Sequence, residues 1–253
     1  SNEGYILLGD YSKFFDNIQH DLLLNMFKNL IDDELALWLL DGVLKQAKID
    51  VSFMTKEQFS NSLNEIFNSL EYEKVDKKLM TGEKFLAKHM NIGDQVAQVA
   101  GIFYPHRLDN YIKIVEGEKY YGRYMDDFYV ISRDKEHLKE LSSRIRREAK
   151  RNGIILNENK TRICKISQYW RYLQIQYALT ENGRVIKKIH PKRLTVMRRK
   201  LKKLAKKLSE VDFINYYNSW FKNQYKLMSK KQRENMNELF KNLKEEHYVS
   251  NNA

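Results

Sequence analysis

The sequence predicts an α+β protein that combines an antiparallel sheet with a helical C-terminal module. Two runs of aromatic and β-branched residues flank the acidic pair Asp126-Asp127, which predicts a hairpin with both acids at its tip. Apolar residues recur at helical spacing through much of residues 24–90 and again through residues 185–248. The 253 residues are enough for one or two domains with a real core.

The N-terminal half is predicted to begin with a buried strand and to continue mainly as helices. Residues 5–8 form a short apolar run that leads to Asp10, and Phe14, Ile18 and Leu22 are spaced for one helical face just after it. Further elements are predicted as helices over 32–46 and 58–72, a short strand over 49–53, and a helix from 96 through the proline at 105 to about 115.

The C-terminal half is predicted to contain the hairpin, more strands and the helical module. The expected elements are hairpin strands over 120–124 and 128–131, a basic helix over 135–152, strands over 154–156, 163–166 and 172–179, and helices over 194–208, 212–223 and 230–246. Gly153 is expected to stop the basic helix, and Asn182-Gly183 to form a hairpin turn. The last three helices predict an all-helical module over 185–248.

The charge distribution points to a polyanionic partner. The formal net charge is +12, and eleven Lys or Arg but no acid lie between Lys187 and Lys207. This local field predicts a nucleic-acid partner, with a solvated basic surface as the alternative. No apolar run approaches the roughly 18–20 residues that span a bilayer. We therefore expect no membrane contact. The single cysteine, Cys164, excludes a disulfide within the chain, and for that reason we expect a cytoplasmic, reducing setting.

Three carboxylates are the candidate catalytic groups. Asp10 and Asp126 both lie next to apolar strands, and Asp127 adjoins the second of them. If the strands are neighbours in one sheet, the three acids converge and repel one another unless a cation neutralises them. Hard oxygen ligands suit Mg²⁺, and two such ions would serve an in-line phosphoryl transfer. Taken singly, the acidic pair is better explained as a polar turn, and Asp10 as an acid at a strand end or at a helix N-cap; only their combination with the other motifs points to a site.

Five segments, in the same order as in the family, resemble reverse transcriptases. Residues 124–127, Tyr-Met-Asp-Asp, resemble the YxDD box, and residues 10–18 are similar to the first catalytic segment. Residues 92–98 look like the IGxxxSQ segment of bacterial members, which include those of diversity-generating retroelements. Residues 153–161 match the segment that ends in Asn-x-x-Lys-Thr, and residues 170–173 lie where the primer grip is expected.

The resemblance implies an RNA-directed DNA polymerase of a bacterial retroelement or defence system. It implies a polymerase palm over 1–180 with a helical fingers-side insertion at about 31–91, and a helical thumb over 185–248. The fingers segments are largely missing before Tyr5. Substrates and partners would be an RNA template, a DNA or RNA primer and dNTPs, with a structured RNA or an accessory protein as further candidates. The cofactor would be two Mg²⁺ ions, for which Mn²⁺ could substitute.

The resemblance also assigns roles around the chemistry. Asp10, Asp126 and Asp127, with the backbone carbonyl of Tyr11, would be metal ligands, and Lys160 would protonate the pyrophosphate leaving group. The nucleotide-binding residues would be Tyr11, Phe15, Ile92 and Gly93. Phe15 would be the steric gate that excludes ribonucleotides. As alternatives, Phe15 is a core aromatic, Gly93 an ordinary turn glycine and Lys160 a solvated or phosphate-contacting lysine.

The template and primer would be held by residues of both predicted domains. Those implied by the resemblance are Gln98, Tyr124, Met125, Trp170, Arg198, Arg199, Lys202, Lys203 and Lys206. The basic residues among them would follow duplex phosphates without reading sequence; the alternative is a solvated helix face.

Departures from the family pattern leave two other interpretations open. Ala97 replaces the usual serine, and the missing fingers put independent activity in doubt. One alternative is a polymerase-like module that binds nucleic acid but is inactive without fingers or a partner. The other is an RNA-dependent RNA polymerase, against which Phe15 and the Met-Asp-Asp sequence argue.

Overall fold

The computed structural model describes residues 3–91, 93 and 95–249, which divide into one unit from Gly4 to Cys164 and another from Lys165 onward. Ile92 and Asp94 lie outside the described residues. The elements of the first unit are, in chain order, β1 (Tyr5–Asp10), α1 (His20–Lys28), α2 (Glu34–Gln46), β2 (Ile49–Asp50), α3 (Lys56–Asn64), α4 (Ser69–Tyr72), β3 (Phe85–Leu86), α5 (Gln95–Phe103), α6 (His106–Asn110), β4 (Tyr121–Tyr124), β5 (Asp127–Ser132), α7 (Lys135–Arg151) and β6 (Arg162–Lys165).

A four-stranded sheet in the order β4-β5-β1-β6 forms the centre of the first unit. β1 and β5 pair antiparallel from Tyr5 opposite Ser132 to Asp10 opposite Asp127. The apolar run of β1 is buried because this strand lies inside the sheet, between β5 and β6. The predicted hairpin is confirmed as β4 and β5. Its turn consists of Met125 and Asp126 only, since Asp127 already pairs as a strand residue.

Helix α7 covers this core with the predicted apolar stripe. Leu138, Leu141 and Ile145 are fully buried, because their spacing places them on one face of the helix. The Asp134 side chain caps the helix by accepting the backbone N–H groups of Glu136 and His137. At the other end the chain turns at Gly153 with φ +70°, a left-handed conformation that suits glycine.

Several predicted elements of the first unit are interrupted in the structure. The helix expected just after Asp10 is a single 3-10 turn, Phe15–Asn17, followed by α1. The helix expected over 58–72 is split into α3 and α4, with residues 65–68 between them. The helix expected over 96–115 becomes α5, α6 and a π-helical turn, because Pro105 cannot donate a hydrogen bond. The strand expected over 154–156 is reduced to one bridge between Leu156 and Tyr11.

The second unit begins with a sheet, which corrects the expectation of an all-helical module over 185–248. Its elements are β7 (Trp170–Tyr172), β8 (Ile175–Leu179), β9 (Val185–Ile189), α8 (Pro191–Leu204), α9 (Glu210–Gln224) and α10 (Lys230–Lys244). The single strand expected over 172–179 is a hairpin, which turns at Leu173 and Gln174. The predicted Asn-Gly turn joins β8 to β9.

The three helices of the second unit enclose a separate core. Leu194, Met197 and Leu201, from the predicted stripe of α8, pack with Phe213 of α9 and Met236 of α10. In the part of the chain that the structure describes, no helix is both long enough and apolar enough to cross a membrane.

Candidate active site

The sheet brings the three predicted carboxylates to one edge. Asp10 is the last residue of β1 and lies opposite Asp127, the first residue of β5. Asp126 precedes Asp127 in the hairpin turn, and its backbone carbonyl accepts a hydrogen bond from the Tyr11 N–H at 3.1 Å. The antiparallel register of two neighbouring strands therefore places the backbone of Asp10 next to that of the acidic pair.

Lys160 lies against the first of these acids. Its Nζ donates to both carboxylate oxygens of Asp10, at 2.9 Å to Oδ1 and 3.0 Å to Oδ2. The turn that carries this lysine is docked on the end of β1, since the Asn157 N–H donates to the Asp10 carbonyl at 2.7 Å. Thr161 closes the turn through its N–H and hydroxyl, which both donate to the Asn157 carbonyl.

The charges of the site influence one another. Burial raises the pKa of the Asp126 carboxyl, and the negative charge of Asp10 raises it further. The hydrogen bonds with Asp10 raise the pKa of Lys160, and the charges of Asp126 and Asp127 add to this effect. The ammonium group therefore experiences the field of all three carboxylates and partly neutralises it.

The donor chemistry of this edge suits a hard divalent cation. It offers carboxylate oxygens, which Mg²⁺ prefers, and their combined charge already holds one cation, the Lys160 ammonium, on Asp10. Within the described residues, no three side chains of His, Cys, Asp or Glu lie close enough together to hold a metal ion. The oxygen ligands and the negative charge of the acids suit Mg²⁺, but their described arrangement is not that of a metal site. Metal ligation by Asp10, Asp126, Asp127 and Tyr11 stays a prediction.

A cleft of about 770 Å³ opens at the acids. Its lining is formed by the first catalytic segment, the hairpin turn, the lysine turn and a short stretch of the predicted insertion. The lining residues are Asp10, Tyr11, Ser12, Lys13, Phe14, Phe15, Asp16, Ile66, Ser69, Leu70, Asp126, Asn157, Asn159 and Lys160. The volume falls in the range of pockets that take small ligands such as nucleotides.

Phe15 lies in the cleft wall, and its ring packs closely against Gly101 of α5. A Cβ atom built on Gly101 would lie 3.0 Å from the Phe15 ring and 3.3 Å from Met125 Sδ. Any larger residue at 101 would therefore displace one of these side chains. Phe15 also meets Phe14 edge-on at 5.3 Å between ring centroids, so it is both a core neighbour and a cleft residue.

Arg123 secures the acidic turn, a role that sequence reasoning missed. Its guanidinium donates to both carboxylate oxygens of Asp109, at 2.8 and 2.6 Å, and to the Met125 carbonyl at 2.8 Å. The remaining two bonds reach the carbonyls of Gly101 and Ile102 at the end of α5. Five donors in a fixed fork thus connect α5, α6 and the turn. Met125 itself has φ +53°, an uncommon conformation for a side chain of this size.

The other predicted contact residues of the first unit that the structure describes are not among the described lining residues of the cleft. Gly93 is exposed with φ +108°, and neither it nor Gln98, which is exposed on α5, belongs to the described lining of the cleft. Tyr124 is 60% exposed at the end of β4. Ile92 falls outside the described residues. Ala97 is buried in the core.

The predicted duplex contacts of the second unit lie in three different surroundings. Arg198, Arg199 and Lys202 line a groove of about 400 Å³ between α8 and α10, together with Thr195, Asn235 and Leu239. Lys203 and Lys206 are exposed and are not part of its described lining. Trp170 stacks on Tyr177, with ring centroids 4.8 Å apart.

A comparison with protein families finds a match. A family model described as reverse transcriptase (RNA-dependent DNA polymerase) matches residues 1–177, which is more than half of the chain. No curated protein matches the chain.

Proposed function

Because the chain belongs to the reverse transcriptase family, we propose that it adds deoxynucleotides to a primer 3′ end on an RNA template by two-Mg²⁺ phosphoryl transfer, in a bacterial retroelement or defence system. The family implies a nucleotidyltransferase that acts on a template, a primer and nucleotides. The observation that carries the proposal is a cleft lined by Asp10, Asp126 and Lys160, whose ammonium binds Asp10, with Asp127 paired opposite Asp10 in the sheet.

The residues at and beside the cleft would have different roles in the reaction. Asp10, Asp126 and Asp127 would hold the metal ions, which when bound would activate the primer 3′-hydroxyl and neutralise the triphosphate. Lys160 stays protonated next to the acids and would donate a proton or a hydrogen bond to the departing pyrophosphate. Phe15 would lie against the sugar, and the main chain of Tyr11–Phe15 would face the phosphates.

Primer extension on poly(rA)/oligo(dT) with dTTP and Mg²⁺ tests this proposal. Extension on poly(rA) supports an RNA-directed DNA polymerase. Extension with UTP in place of dTTP would instead indicate an RNA polymerase. Binding of the duplex without any extension would contradict the proposal and favour the inactive nucleic-acid-binding module.

Replacing Phe15 with Val is expected to admit ribonucleotides. A smaller side chain leaves space for the 2′-hydroxyl, so the ratio of kcat/KM for UTP to that for dTTP should rise by about 10- to 100-fold. Steady-state extension with each nucleotide measures this ratio. Phe85→Val is the matched control, since Phe85 is 48% exposed and is not in the described cleft lining. An unchanged ratio in the Phe15 variant would remove the gate assignment.

Charge reversal in the groove between α8 and α10 is expected to weaken duplex binding at every sequence. Arg199→Glu and Lys202→Glu would each remove a phosphate contact, lowering the slope of log K against log salt by about 1. Titration of a labelled RNA–DNA duplex at several salt concentrations measures the slope. Lys200→Glu is the control. It makes the same charge change on α8, but Lys200 is not in the described lining of the groove and its Nζ lies 4.9 Å from the centroid of the Tyr216 ring. An equal effect of all three variants would indicate a diffuse basic surface and no groove contact.

A further inference from the structure

The geometry points to a second wall of the nucleotide cleft, built by residues 65–70 and contacting the incoming nucleoside triphosphate through Ile66 and Leu70. This inference rests on the proposed function, because it assigns new contacts to the same substrate.

The two apolar side chains are exposed to solvent at the cleft. Ile66 is 46% exposed and Leu70 is 57% exposed, and both line the cleft with Asp10, Asp126 and Lys160. Ile66 lies in the break between α3 and α4, and Leu70 lies in the first turn of α4. Both are far in sequence from Asp10 and from the hairpin turn, which line the same cleft. Exposed apolar groups beside carboxylates and a lysine combine the two surfaces that a nucleotide needs, one for its base and sugar and one for its phosphates.

This wall is anchored to the residues that directly follow Phe15. The Asn17 side chain donates to the Phe67 carbonyl at 3.0 Å and accepts the Phe67 N–H at 2.8 Å, so it pairs with the backbone like a neighbouring strand. Asp16 Oδ2 accepts the Ser69 N–H at 3.1 Å. Both anchoring side chains are at least nine-tenths buried, which keeps water from competing for these bonds.

Two further contacts fix the position of the segment. The Phe67 ring is buried in a small core with Val51 and Leu86, so one side of the segment faces inward while Ile66 faces the cleft. Lys88 is buried and donates to the Ser62 carbonyl at 2.9 Å and to the Glu65 carbonyl at 3.3 Å, which holds the end of α3. The wall is therefore built into the same unit as the acids.

Such a wall would contribute binding energy and leave the chemical step unchanged. Apolar contacts to base and sugar are equal in the ground state and the transition state, so their loss raises KM at constant kcat. In contrast, loss of a metal ligand lowers kcat.

Alanine substitution of the two side chains tests the wall in the full chain. Ile66→Ala and Leu70→Ala are expected to raise KM for dTTP on poly(rA)/oligo(dT) by about tenfold each, with kcat unchanged. Leu79→Ala is the control, since Leu79 is 53% exposed on the same insertion but is not in the described cleft lining. Ile66→Leu retains the apolar volume and should keep the wild-type KM.

A direct binding measurement separates this inference from the proposed function. Equilibrium dialysis with dTTP, in the presence of a duplex whose primer lacks a 3′-hydroxyl, gives Kd without turnover. A tenfold rise in Kd for the two alanine variants but not for Leu79→Ala supports the wall, even if the wild-type chain extends no primer. Unchanged Kd and KM, equal effects at Leu79, or no dTTP binding by the wild-type chain would overturn it.

Discussion

Replacing Asp126 with Asn is expected to reduce primer extension by about 10³-fold or more, a loss of about 4 kcal/mol of transition-state stabilisation. The amide keeps the shape of the turn but removes one of the three converging charges that would hold the metal ions. Duplex affinity should change little, because the proposed phosphate contacts lie on α8. Single-nucleotide extension rates and duplex titration measure the two effects.

The same substitution should leave stability unchanged or raise it. Since burial and Asp10 raise the pKa of Asp126 in the folded state, the folded protein binds this proton more tightly than the unfolded chain does. The ionised carboxylate therefore destabilises the fold as the pH rises above its unfolded pKa, and Asn removes that cost. Lost activity with an unchanged or higher urea midpoint would thus identify a functional group.

Asp32→Asn is the matched control for this experiment, since Asp32 is exposed and the substitution makes the same chemical change. It is expected to behave like the wild-type chain. If Asp126→Asn retained extension within about tenfold of wild type, Asp126 would not be a metal ligand of the reaction.

The parts of the fold that the sequence predicted well depend on local patterns. β1 and β5 are short apolar runs and α7 repeats its apolar residues at helical spacing, so each has an obvious inward face. The approach of Asp10 to the acidic pair could be predicted because both lie at ends of such strands. Their antiparallel register then places them opposite one another.

The parts that could not be predicted depend on contacts between distant residues. The break at residues 65–68 is set by Asn17, which pairs with the Phe67 backbone from 50 positions away. The turn between β7 and β8 has positive φ at both Leu173 and Gln174, a two-residue turn normally marked by Asn or Gly. Leu and Gln rarely adopt that conformation, so the sequence pattern predicted one continuous strand over 172–179.

The role of Arg123 also depends on contacts with residues that are distant in the sequence. Arg123→Met is expected to lower the free energy of unfolding by about 3 kcal/mol, because it leaves three backbone carbonyls without this donor and leaves the Asp109 carboxylate with only the Tyr121 hydroxyl among the donors described here. It should also loosen the Met125 carbonyl, and with it the turn that carries Asp126. Urea unfolding and Mn²⁺ binding by electron paramagnetic resonance measure the two consequences.

A double-mutant cycle and a second arginine separate these effects. Adding Asp109→Asn to Arg123→Met should cost less than the sum of the single changes, by about 1–2 kcal/mol, because the amide no longer leaves a half-buried charge without its guanidinium partner. Arg144→Met removes another carboxylate-paired arginine of the same unit, whose partner Glu116 lies outside the described cleft lining. It should lower stability but leave Mn²⁺ affinity unchanged. Equal loss of Mn²⁺ affinity in both variants would mean that Arg123 acts through general stability and does not position the acidic turn.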